Sequence, residues 1–111
     1  MITAVDCGTV VNPRGVEAQV EGAIAMALSA TLKSEITIRD GRVEQTSYSD
    51  YDVIRMGEMP RIDVHLLPSA APPGGMGEPP LPGVAAAVVN AVYAATGRRI
   101  RRIPIRQEDL A

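Results

Sequence analysis

Glu78 has the surroundings that most suggest chemistry. It lies in Pro72-Pro73-Gly74-Gly75-Met76-Gly77-Glu78-Pro79-Pro80, too rich in glycine and proline for helix or strand. Glycines at 74, 75 and 77 permit positive φ and close approach of another backbone or a ligand, while Pro79 and Pro80 push Glu78 toward an extended conformation. A carboxylate positioned in this way suits a general base, which must sit within hydrogen-bond reach of the proton it takes. The same composition also describes a solvated connector, and the local sequence leaves both readings open.

Gln19 is the second candidate. Its amide offers donors and acceptors, and Gly15, Gly22 and Ala23 around it leave room for a bound group. Taken alone, it reads first as an ordinary exposed helix position. His65 is the only histidine and Cys7 the only cysteine. An intrachain disulfide, a clustered thiolate metal site and an iron–sulfur cluster held by this chain alone are thereby excluded, and no metal ligand is assigned. Arg98-Arg99-Ile100-Arg101-Arg102 is a local basic cluster that complements the end of a helix. With a net charge of −2 and a pI near 5.3, the chain offers no field for a nucleic-acid backbone.

The elements that must hold these residues follow from hydrophobic period. Ile2 to Asp6 reads as a short strand leaving through Asp6-Cys7-Gly8 into a turn. Asn12-Pro13 is a helix start, and Val16, Val20, Ile24, Ala27, Leu28, Thr31 and Leu32 recur at spacings of three and four behind it. Gln19 and the small residues Ala18, Gly22 and Ala25 lie on the same helix. Ser34 to Arg39 and Arg42 to Ser47 alternate on either side of Asp40-Gly41, which predicts a hairpin. Arg61 to Leu67 alternates again, with His65 on the polar side. Pro82 can begin a second helix that stops at Thr96-Gly97, and Ile100 to Ile105 can form an edge strand limited by Pro104.

The 111 residues, 46% apolar and 22% charged, suit a single domain spanning 1–111 and argue against disorder. The expected class is α+β: a mostly antiparallel sheet of four to five strands with two helices packed on one face, in a split β-α-β arrangement. No apolar run approaches the roughly 20 residues that span a bilayer, and no signal-peptide pattern stands at the N-terminus. Membrane insertion is therefore not expected, and the compartment, cytoplasmic or periplasmic, is left open.

Asp6-Cys7-Gly8 with Asn12-Pro13, then Gln19-Val20-Glu21-Gly22-Ala23, then Gly75-Met76-Gly77-Glu78-Pro79 resembles the C-terminal end of the molybdenum-binding subunit of the xanthine dehydrogenase and aldehyde oxidase family. Asp50-Tyr51 with Arg55, Glu58-Met59-Pro60, and Ala94-Ala95-Thr96-Gly97 with Ile103-Pro104 are most similar to the isoquinoline 1-oxidoreductase beta subunit. The resemblance covers nearly the whole chain. It implies a molybdopterin cofactor, usually the cytosine dinucleotide form in bacteria, and hydroxylation of an N-heterocycle or aldehyde with water as oxygen source. It places Glu78 as the base, Gln19 as a hydrogen-bonding contact to the pterin, and Gly75 and Gly77 where the loop nears the cofactor. Family members are several times longer, so the expected partners are the remainder of the molybdenum-binding subunit and an iron–sulfur subunit, with no cofactor on the isolated chain. The alternative is a non-catalytic remnant that serves as an interaction or assembly module and self-associates through its former interface.

Overall fold

The computed structural model describes residues 1–110. Strand β1 (Ile2–Val5) leads through a turn to helix α1 (Pro13–Leu32). Asn12 is extended, its Oδ1 accepts from the Gly15 N–H at 3.2 Å, and Pro13 takes the first helical position, as the sequence predicts. Strands β2 (Ile38–Arg39) and β3 (Arg42–Val43) form a hairpin turning on Asp40 (φ 50°) and Gly41 (φ 74°), both in the left-handed conformation that a tight hairpin turn requires. Strand β4 (Asp63–Leu66) and helix α2 (Leu81–Thr96) follow, and α2 ends on Gly97, whose N–H donates to the Tyr93 carbonyl at 2.8 Å.

The core lies where α1 meets α2 and the β1–β4 pair. Val20, Ile24, Ala27 and Leu28 of α1 are buried with Val5 and Val84, and Val64, Leu66 and Val88 pack at the margin. Thr31 is fully buried among them without an unmet polar atom, because its Oγ1 donates to the Ala27 carbonyl at 2.6 Å.

The sheet differs from the expected one. The described residues form two separate two-stranded sheets in place of a mostly antiparallel sheet of four to five strands, and one of them is parallel. β1 pairs with β4 from Ile2↔Asp63 to Val5↔Leu66, with α1 and the hairpin forming the crossover that parallel neighbours need. The two strands are direct neighbours, so the β-α-β unit is not split. The hairpin does not join them because its apolar side chains find nothing to cover: Ile36, Ile38 and Val43 are 53%, 71% and 50% exposed. Its ladder stops after two residues a strand, where the Gln45 Oε1 accepts from the Thr37 N–H at 2.8 Å. The tail makes no strand either. Ile100 is buried and the Ile105 N–H donates to the Thr31 carbonyl at 2.7 Å, which lays the tail against the end of α1.

The radius of gyration is 16.6 Å, whereas a compact domain of this length has about 13 Å. With so many apolar side chains exposed, including Ile2, Val11, Tyr48 and Met56, the chain is an open arrangement rather than a closed globule.

Candidate functional site

Gln19, Gly77 and Glu78 come together between α1 and the loop that precedes α2, whereas Gly75 borders neither of the concavities there. Gln19, Ala18, Gly22 and Met26 of α1 form one side of a concavity of about 910 Å³, and Gly77 and Glu78 stand among those on the other. Both Gln19 and Glu78 are exposed to this space. Gln19 also borders a second concavity of about 370 Å³ that includes Thr9, Asn12, Gly74 and Met76, so its amide stands on the ridge between the two. His65 is exposed on β4, away from both.

Gly75 and Gly77 do not use the left-handed conformation that glycine permits: neither has positive φ. A Cβ on Gly75 would meet nothing within 4 Å, and one on Gly77 would lie 3.8 Å from the Gln19 Oε1, an ordinary contact. The space beside them is open on this chain. Beside this loop, the glycine that the backbone requires is Gly8, at φ 74°, where a Cβ would collide with the Pro72 carbonyl oxygen.

That collision reveals what holds the loop. The turn after β1 binds its first residues: the Thr9 N–H and Oγ1 both donate to the Ala71 carbonyl, at 2.9 and 3.0 Å, and the Gly74 N–H donates to the Cys7 carbonyl at 2.8 Å. Asp6 shapes the turn by accepting the Gly8 N–H at 3.0 Å. At the far end the Leu81 N–H donates to the Glu78 carbonyl at 2.9 Å, which joins Glu78 to the start of α2. Met76, between these anchors, packs on the core. Sequence reasoning read Asp6-Cys7-Gly8 as a strand exit and missed its contact with Ala71 to Gly74, whose partner lies some sixty residues away.

The arrangement can present a carboxylate and a carboxamide to one bound group. Gln19 comes from a rigid helix and Glu78 from a loop fastened at both ends. Among the described residues neither side chain has a hydrogen-bond or ion-pair partner, so both retain their polar capacity for a ligand. Among the described residues no cluster of three His, Cys, Asp or Glu side chains stands ready to hold a metal ion directly.

Comparison with known proteins gives this geometry a context. Residues 1–60 match the molybdopterin cofactor-binding domain, a little over half of the chain. The chain is 39% identical over 106 residues to the membrane-bound aldehyde dehydrogenase [pyrroloquinoline-quinone] of Gluconacetobacter polyoxogenes, covering 96% of this chain and 14% of that protein. It is 34% identical over 103 residues to the isoquinoline 1-oxidoreductase subunit beta of Brevundimonas diminuta, covering 93% and 13%. Quinoline 2-oxidoreductase from Pseudomonas putida 86 superposes with a TM-score of 0.87 at 34% identity, over 97% of this chain and 15% of that one. The chain belongs to the molybdopterin cofactor-binding family, within the molybdenum-binding subunits of the xanthine dehydrogenase and aldehyde oxidase type. It spans about a seventh of the length of these relatives.

Proposed function

We propose that this chain supplies one wall of the cofactor site of a molybdenum hydroxylase, with Glu78 as the general base and Gln19 as a hydrogen-bonding partner of the pterin. The observation that carries the reading is the shared concavity, which joins the amide on α1 to the carboxylate on the fastened loop and has little side-chain bulk at Ala18, Gly22 and Gly77. These residues suit a flat, polar-edged group on one side only. The bound cofactor, molybdopterin in its cytosine dinucleotide form, supplies the centre that accepts electrons from substrate. Gln19 would donate and accept at the pterin edge, Gly77 would leave the loop backbone bare toward it, and Gly75 would give the preceding backbone room to approach. Glu78 takes the proton from the water-derived nucleophile, within hydrogen-bond reach of which the loop must hold it.

The proposed substrates are N-heterocycles or aldehydes, classes that appear in the names of the relatives. The residues 1–111 act as one domain, completed by the remaining molybdenum-binding polypeptide and served by an iron–sulfur subunit. The extended shape and the exposed Ile2, Ile38, Val43 and Met56 support such a covering partner. The same apolar surface favours the second reading, an assembly module that associates with itself. Co-elution of molybdenum with this chain and its partner polypeptide supports the enzyme, whereas a metal-free homodimer supports the module.

In the completed enzyme, Glu78→Gln lowers turnover by about 10²- to 10⁴-fold, the usual contribution of a general base, and leaves molybdenum content unchanged. Undiminished turnover overturns the assignment.

A further inference from the structure

We propose that Gly8 and Thr9, at the exit of β1, are positioning residues for Glu78. The inference rests on the reading of Glu78 as the base. Its own support is the geometry of the turn. Thr9 gives two hydrogen bonds to the Ala71 carbonyl, and the neighbouring Cys7 carbonyl receives the Gly74 N–H. Gly8 sits between these contacts, with the Pro72 carbonyl oxygen far inside van der Waals contact of where its Cβ would be. Only glycine therefore allows the two strands of backbone to lie this close, and its φ of 74° is one that other residues resist.

The clamp acts on Glu78 across a short span. Gly75, Met76 and Gly77 alone separate the pinned Gly74 from Glu78, Met76 is docked on the core, and the Glu78 carbonyl is tied to Leu81. Without the clamp, the two glycines would let this segment pivot about Met76. A carboxylate displaced by about 1 Å from a reacting group can lose about a hundredfold in rate, so a distant anchor of this kind reaches the chemistry. Gly8 and Thr9 touch no reacting atom on this reading; they set where the loop begins.

The test uses the complete enzyme with Gly8→Ala, Thr9→Val, Thr9→Ser and, in parallel, Glu78→Gln. Steady-state kinetics, molybdenum content and peptide-resolved hydrogen exchange are measured on each. Gly8→Ala is expected to lower kcat by about ten- to a hundredfold with KM nearly constant and molybdenum retained. Exchange should quicken in residues 70–78 and stay constant in α1. Thr9→Val should quicken loop exchange about fivefold, the share of one neutral hydrogen bond, and Thr9→Ser should restore it. A loosened loop with kcat within about twofold of the parent overturns the inference, as does a fall in kcat without loosening. If Gly8→Ala fails to fold, Thr9→Val and its rescue decide by the same readings. If Glu78→Gln is inactive while the folded clamp variants are not, only this inference falls; normal turnover by Glu78→Gln overturns the proposed function and this inference together.

Discussion

Replacing Ile24 with alanine tests whether the α1–α2 contact is the centre of stability. Ile24 is 1% exposed and lies one turn from Val20 and one from Leu28, facing a cluster that contains Val84 of α2. The substitution removes three carbons, worth about 2.4 kcal/mol at about 0.8 kcal/mol for each buried methylene. The flanking side chains are fixed to the same helix and cannot close over the hole, so a cavity term brings the expected loss to about 3–4 kcal/mol. Ile24→Val removes one carbon and should cost about 1 kcal/mol. Met26 is 68% exposed on the same helix, and Met26→Ala should change stability by less than about 0.5 kcal/mol. Urea unfolding of the folded chain, followed by far-ultraviolet circular dichroism, reads all three. A loss below about 1 kcal/mol for Ile24→Ala, or equal losses at Ile24 and Met26, would refute the reasoning.

Two further outcomes are expected. Asn12→Ala removes the side chain that accepts the Gly15 N–H and should cost about 1 kcal/mol in the same unfolding measurement, while Asn12→Ser should retain most of the stability. The Lys33 ammonium, at 2.7 Å, and then the Arg55 N–H hold the Glu58 carboxyl below its ordinary value of 4.5. A depressed folded pKa means that the stabilisation is present above 4.5 and is lost as the pH falls through the folded value. The melting temperature should therefore decline on acidification below that range, less steeply in Glu58→Gln. Because the pair is exposed, the difference should shrink in high salt.

The parts of the fold that were legible in sequence are those decided locally. Asn12-Pro13 defines its helix start through a side-chain acceptor and a fixed φ, Asp40-Gly41 its turn through left-handed backbone, and Gly97 its helix end in the same way. Glu78 and Gln19 were legible as polar residues among small ones, and the structure brings both to one concavity. Sheet membership was not legible. Alternation at Ile36 and Ile38 says that one face wants cover without saying which chain provides it, and within residues 1–110 that face stays exposed. The direction of pairing between β1 and β4 depends on a crossover, which neither strand's own pattern records. The clamp at Gly8 was hidden for the same reason, since the Pro72 carbonyl is its cause and lies far along the chain.

The register that joins Ile2 to Asp63 also sets an order of assembly. Helix α1 and the hairpin close through near neighbours, whereas the β1–β4 ladder and the Thr9–Ala71 bonds must close loops of about sixty residues, a step that slows folding. A chain caught midway therefore carries Gln19 on a finished helix while Glu78 still drifts on an untethered segment. Closing that long loop is the event that tethers the segment carrying the carboxylate.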